Sequence, residues 1–450
     1  MQRRFILGLF LLALLFRLYP LLTSTYIWDE EREWIVVAER ISFHPERLHL
    51  PIREGHHASL PAYFIRAGSL LLGKNPLGYR FFSLVAGMLT LFVLWRLAAR
   101  WASPAAAMWT LALLALNEYH IGISVFAVEK SLQHLFAALS LYGFYRYLAG
   151  ESGKFLYLSA ATAGLAFLCN ERSVLLLPAY GVTLLCSRGW SWLRRRETYL
   201  ALAVFLLTIS PDIHANLRWS QSGLGANYAD HVSRIGDVGL NRHYMLFFGR
   251  DAVAFVYGRL GRKLHDNASE YPAMNPAFGA LLLGVVAASL WRRRRPTAGG
   301  TLFLSVFAVV LGFFCLVRPA ATLPGLDPVA WFWVDLTLPA AALLAGPVLS
   351  RQSGRRRAAV LTLVGLAALY AGGAVFGKRL GLEPVGAAAV PEVLWPADGR
   401  SVTVRVFFHA CAVCRPAAEA ELVEVRVDGE ATAVGFEGAD LGTDDRTFRV

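Results

Sequence analysis

The sequence predicts an all-α polytopic membrane protein carrying a small β-rich domain at its C-terminal end. Three observations carry this. Of 450 residues, 56% are hydrophobic and only 17% are charged, and the mean hydropathy is positive, far from the composition of a soluble domain. Apolar runs near the length of a bilayer-spanning helix recur along most of the chain. From about residue 377 the pattern changes to short alternating segments.

Hydropathy places about eleven spans, at residues 5–22, 81–98, 104–116, 132–148, 155–169, 174–186, 199–210, 277–291, 302–317, 329–349 and 358–376. The runs between 155 and 186 are short, so the Asn170-Glu171-Arg172 interruption either separates two spans or caps a shallow hairpin. Arg3 and Arg4 precede the first run, and Arg17 and Tyr19 stand where a cleaved leader would carry small residues, so the first helix is read as retained.

The net charge of +12 does not indicate nucleic acid. Lys and Arg fall in short clusters between apolar runs: Arg194 to Arg196, Arg292 to Arg295 and Arg355 to Arg357. If Arg3 and Arg4 are cytoplasmic, alternation puts these clusters, with Arg96, Arg100, Lys154 and Arg188, on the same side, as the positive-inside rule requires. The segments 23–80, 118–130, 170–172, 211–276 and 318–327 and the C-terminal tail then lie outside.

Residues 1–376 therefore form the transmembrane domain, with two large external segments. The first, 23–80, carries amphipathic helices, because Trp34, Val37, Ala38 and Ile41 repeat at helical spacing. In 211–276, Tyr244, Phe247, Arg250, Phe255, Arg259 and Lys263 interleave rings with cations, which suits either a helix on the headgroup surface or one packed on the bundle. Residues 377–450 form the β-rich extracytoplasmic domain, with strands at 401–408 and 422–427 and a turn at Asp428-Gly429. Cys169, Cys186 and Cys315 read as small buried hydrophobes; Cys411 and Cys414 form a CxxC pair that an oxidising compartment would close as a disulfide.

The chemistry-bearing residues cluster on the external side. Asp29 and Glu30 follow the first span and open an amphipathic helix, where a carboxylate near low-dielectric surroundings can serve as a general base. A helix start also favours carboxylates for electrostatic reasons alone. His56 and His57 with Asp29 and Glu30 could ligate a divalent metal. Glu129-Lys130 and Glu171-Arg172 offer further charge, each readable also as a solvated or self-paired element.

The order Asp29-Glu30, then Ala38-Glu39-Arg40-Ile41, then His57 with Leu60, then Arg80 opening an apolar run resembles the GT-C superfamily of polyprenyl-phosphate-sugar-dependent glycosyltransferases. The group concerned is that of the protein O-mannosyltransferases and aminoarabinose transferases, and the resemblance extends over roughly the first 350 residues. Gly164 to Arg172 resembles a further family segment. Two positions depart: Ala58-Ser59 replaces a double proline, and Asp335 in Asp335-Leu336-Thr337-Leu338-Pro339 replaces a base.

The resemblance implies an inverting sugar transfer from a polyprenyl-phosphate donor to a protein or glycolipid acceptor at the outer face of the membrane, which the Ala-, Gly- and Arg-heavy composition reads as a bacterial cytoplasmic membrane. Asp29 would be the general base with Glu30 in support, and His57, Arg80, Lys130, Arg172 and Arg318 would bind the donor phosphate. A transporter or lipid flippase, or a scaffold presenting the C-terminal domain, are the competing classes; a transporter would be expected to carry midplane charges and inverted repeats, and no such repeat is evident.

Overall fold

The computed structural model describes residues 2–23, 29–41, 53–54, 57–58, 60–222, 235–238, 297–319, 335–372, 391–394, 401–406 and 423–426. Among these, helices dominate: α1 (Gln2–Thr23), α2 (Asp29–Arg40), α3 (Leu60–Leu72), α4 (Pro76–Trp101), α5 (Pro104–Ala115), α6 (Glu118–Ile123), α7 (Lys130–Leu148), α8 (Lys154–Cys169), α9 (Leu176–Arg188), α10 (Arg196–Ser222), α11 (Ala298–Leu316), α12 (Thr337–Ser350) and α13 (Gly354–Gly372). Local chemistry sets several starts. Asn75 and Ser103 cap α4 and α5 with side-chain oxygens that accept from Gly78 and Ala106 N–H, and each helix then begins with proline.

Most spans read from hydropathy overlap a helix among the described residues; 277–291 lies outside them, as do 329–334 and 373–376 of the spans expected at 329–349 and 358–376. Among the described residues, only α1 and α4 combine the length and apolarity of a full crossing; α3, α5, α8, α11 and α12 are shorter apolar helices. The run expected at 199–210 is longer than hydropathy suggested: α10 continues through Pro211 to Ser222, and its buried Asp212 lies in the extension. The polar residues after Pro211 ended the hydropathy signal but not the helix. The Asn170–Arg172 interruption is a short 3-10 turn, Glu171–Leu175, between α8 and α9.

The bundle exposes apolar side chains on its outer faces as well as burying them in its core. On α1, Phe5, Leu7, Leu11, Leu15 and Leu22 are exposed, while Ala13, Phe16, Leu21 and the polar Arg17 are buried. Exposed leucines likewise line α10 and α13. A surface of this kind suits hydrocarbon, and the polar groups turn inward.

Helices approach closely through small residues. A Cβ at Gly346 of α12 would stand 2.4 Å from Thr110 Oγ1 and 2.5 Å from the Ala106 carbonyl oxygen of α5. At Gly143 of α7 it would stand 2.9 Å from the Phe155 carbonyl oxygen of α8. The α7–α8–α9 seam adds hydroxyls: Ser140 Oγ lies 3.1 Å from Ser159 Oγ and 2.6 Å from Tyr180 Oη.

Short strands complete the description. β1 (Arg53–Glu54) and β2 (His57–Ala58) form a tight antiparallel hairpin pairing Glu54 with His57, and β2 lies against α8. β3 (Ile235–Val238) pairs antiparallel with β4 (Val317–Pro319), which ties the long segment after α10 to the end of α11. β5 (Pro391–Leu394), β6 (Ser401–Val406) and β7 (Val423–Arg426) form an antiparallel ladder. The rest of 377–450, with Cys411, Cys414 and the expected Asp428-Gly429 turn, lies outside the described residues, as do Tyr244 to Lys263. Cys169 is buried as expected, whereas Cys186 is exposed: it falls on the outward face near the end of α9.

The close α5–α12 contact makes a direct prediction. Gly346→Ala should destabilise the protein by about 1–3 kcal/mol, because the added methyl meets a backbone carbonyl that cannot yield. Gly365→Ala on α13, where nothing lies within 4 Å, should be neutral or stabilising by up to about 1 kcal/mol. Thermal unfolding of both variants in the same detergent checks the contrast.

Candidate active site

One end of the bundle gathers buried charge. Glu31 lies on the inward face of α2, in helical phase with buried Trp34, Ile35 and Ala38, and is fully buried. Its carboxylate accepts two hydrogen bonds from Arg80 of α4, Nε to Oε1 at 2.8 Å and Nη2 to Oε2 at 2.7 Å. Oε1 also accepts from Ala127 N–H at 2.6 Å. The Arg80 guanidinium stands 5.3 Å from the centre of the Phe126 ring. This forked pair joins α2, α4 and the segment before α7.

Beside it, Glu129 accepts from Trp34 Nε1 at 3.1 Å and from Asn170 Nδ2 at 3.3 Å, and lies 3.2 Å from Lys130 Nζ. Lys130 Nζ stands 3.8 Å from Asp335 Oδ2. The same Asp335 oxygen is 3.3 Å from His134 Nε2, one turn along α7, and accepts from Tyr119 Oη at 3.1 Å. Glu129, Lys130, His134 and Asp335 are all buried, so the solvated-loop reading of Glu129-Lys130 does not hold. Burial is sustained because each carboxylate faces a cation or several donors.

A second buried group adjoins. Arg17 of α1 donates from Nη1 to the Ala13 and Ala115 carbonyl oxygens at 2.9 and 3.2 Å, the latter at the end of α5 where carbonyls lack helical partners. Its Nη2 lies 2.7 Å from His120 Nδ1. Burial, then the neighbouring charge of Arg17, then His134, hold the His120 imidazole well below its ordinary titration range.

Of the residues expected in the site, Arg80, Lys130 and Arg172 are described fully, and Arg80 and Lys130 fall into this one polar region. Arg172 is half-buried, and its backbone N–H donates to Asn170 Oδ1 at 3.2 Å. Asp29 and Glu30 occupy the first two positions of α2, His57 pairs in β2 and Arg318 lies in β4; their side chains, and His56, lie outside what is described. Among the described residues no group of three or more His, Cys, Asp or Glu could hold a metal ion. Sequence reasoning missed Glu31, His120 and His134. The signal for Glu31 was its phase: it precedes Trp34, Ile35 and Ala38 by three, four and seven positions. His134 follows Lys130 by four.

Two predictions follow from these pairs. Glu31→Leu or Arg80→Met alone should cost about 3–5 kcal/mol, because each leaves a buried charge uncompensated, while the Glu31→Leu/Arg80→Met double variant should lose much less. A double-mutant cycle on thermal stability reads the coupling. His120 is neutral when folded and titrates near 6.5 when unfolded, so stability is full above that pH and falls below it by up to about 1.4 kcal/mol per unit. His120→Gln should flatten this acid limb in unfolding curves between pH 7 and 5.

The chain's relatives can be set beside this geometry. The family model of dolichyl-phosphate-mannose-protein mannosyltransferase matches residues 56–214. ArnT from Cupriavidus metallidurans bound to undecaprenyl phosphate is similar in structure, with a TM-score of 0.58 and 17% identity, over 83% of this chain and 64% of that one. Its apo state gives a TM-score of 0.55 and 18% identity, over 84% and 64%. The archaeal oligosaccharyltransferase AglB from Archaeoglobus fulgidus, in complex with an inhibitory peptide and a dolichol-phosphate, gives a TM-score of 0.50 and 12% identity, over 83% and 55%. The chain thus spans a little under two thirds of the length of the ArnT structures. No curated protein matches. The family-model match over 56–214 and the shared helical architecture agree with the resemblance to the GT-C superfamily: the chain has the helical fold seen in the ArnT and AglB structures.

Proposed function

We propose that the protein transfers a sugar from a polyprenyl-phosphate donor to an acceptor at the external membrane face, with inversion at the anomeric carbon. The observation that carries this reading is the gathering of Glu31, Arg80, Glu129, Lys130, His134 and Asp335 at one end of a bundle with this fold. A structure bound to undecaprenyl phosphate and one bound to a dolichol-phosphate share the fold, which supports a lipid-linked donor.

In this reading Asp29, at the first turn of α2, takes the proton from the acceptor hydroxyl or amine as its lone pair attacks the anomeric carbon. The bond from that carbon to the phosphate oxygen breaks, and the polyprenyl phosphate leaves with the electron pair. Glu30 supports Asp29. Cations offset the charge growing on the phosphate: His57, Lys130, Arg172 and Arg318 are assigned to it. Arg80 acts through Glu31, holding α2 in place and with it the mouth of the site. Lys130 is shared between Glu129 and Asp335, so donor phosphate would compete with two carboxylates for it. The site faces the periplasmic or extracellular side of a bacterial cytoplasmic membrane, with the N-terminus cytoplasmic. Residues 377–450 form an external β-rich domain, with Cys411 and Cys414 joined in a disulfide.

Asp29→Asn should lower the transfer rate by about 10²–10⁴-fold, the range for loss of a general base, with expression and unfolding temperature unchanged. Glu30→Gln should lower it less. Consumption of the lipid-linked sugar pool and acceptor labelling in isolated membranes are the readouts. Transfer by Asp29→Asn at the parental rate would overturn the mechanism.

A further inference from the structure

The opposite end of the bundle carries its own arrangement of charge. Arg100 of α4 and Arg146 of α7 both donate to Glu151, Arg100 at 2.7 Å to Oε1. Arg146 also lies over the rings of Tyr142 and Phe155, 5.7 and 3.5 Å from their centres. Between α4 and α7 a cavity of about 250 Å³ opens, lined by Arg96, Ala99, Arg100 and Tyr142. Glu151 thus binds two guanidinium groups, and Arg96 adds a third positive charge, so the surroundings of the cavity are net positive.

What lies beneath the cavity is equally specific. Arg100, Arg96, Phe92 and Leu89 follow one another at spacings of four, four and three, and so form a single stripe along α4. Both arginines are exposed, and so are Phe92 and Leu89. Trp95 stands at the transition, its ring 5.8 Å from Phe92, 6.1 Å from Phe10 of α1 and 5.9 Å from the Arg96 guanidinium. Read along the helix, the stripe passes from cations through an amphipathic indole to bare hydrocarbon. That is the order of headgroup, interface and acyl chain in one leaflet.

We propose that this cavity binds an anionic phospholipid, its phosphate between Arg96 and Arg100 with Tyr142 alongside, and an acyl chain against Phe92 and Leu89. The site lies at the end of the bundle away from the candidate active site and does not rest on the proposed sugar transfer. A bare phosphate shares the headgroup chemistry but would not use the apolar part of the stripe. The net positive charge disfavours a zwitterionic lipid, whose ammonium would meet the same arginines.

The test uses the full chain in mild detergent, exposed to mixed micelles of phosphatidylglycerol or phosphatidylcholine, with bound lipid read by native mass spectrometry. The parent protein should retain phosphatidylglycerol and little phosphatidylcholine. Arg96→Gln/Arg100→Gln should weaken that retention by roughly thirty-fold, two interfacial cations at about 1 kcal/mol each. Arg194→Gln/Arg195→Gln removes the same charge from an exposed turn at the same end and should leave retention unchanged. Phe92→Ser should weaken phosphatidylglycerol binding as well. Equal losses in the two arginine pairs would mean diffuse surface charge and would overturn the site. So would equal retention of both lipids, or displacement by millimolar inorganic phosphate with Phe92→Ser indistinguishable from the parent, which would mark an anion site without a lipid.

Discussion

The forked pair between Glu31 and Arg80 is the constraint on which the rest of the candidate active site depends. Two charges removed from water are costly, and their attraction offsets that cost only when geometry is good and the remaining lone pairs are used. Here both conditions are met, by two short bonds and by the Ala127 N–H on the shared oxygen. The pair fixes α2 by a point two residues beyond Asp29. It fixes the start of α4, and it draws in the backbone that leads to Glu129 and Lys130. Removing one partner would strand the other and loosen three elements at once.

The same need for compensation explains Asp335. The family resemblance implies a base at that position, and an acid there, alone and buried before α12, would be untenable. It is held by Tyr119, by His134 and by Lys130, which come from α6 and α7. Positive charge in this part of the site is therefore supplied by α7 rather than by the start of α12. A chain that exchanges the sign at one position and supplies a cation, Lys130, from a neighbouring helix keeps the region balanced while changing which group a ligand would meet.

How much of this was legible in the sequence depended on the kind of signal. Long apolar runs located the helices, because a membrane helix must be apolar along its whole exposed face. Their ends were less legible: Pro211 and the polar residues after it ended the hydropathy signal while α10 ran on to Ser222. At the site, the motif-like order led to Asp29, Glu30 and Arg80, but the buried carboxylate it obscured was Glu31, one residue on. Only helical phase separates a carboxylate at the mouth from one facing the core, and Glu31 shares the phase of Trp34, Ile35 and Ala38. The meeting of Asp335 with Lys130 and His134 spans some two hundred positions, and no local pattern encodes it.

The two ends of the bundle treat charge in opposite ways, and this bears on how the chain sits in a bilayer. At the α2 end Glu31, Arg80, Glu129, Lys130 and Asp335 are buried among helices, each in contact with a partner. At the Arg100 end the guanidinium groups are exposed and sit above an apolar stripe, as groups meeting lipid headgroups require. The sequence-level bias of Arg clusters to one side and the geometry of this end are independent observations, one of order along the chain and one of exposure. Both follow from a single requirement: cations that stay in the interface must be solvated by water or phosphate, whereas cations that enter the bundle must bring carboxylates or carbonyls with them, as Arg80 and Arg17 do.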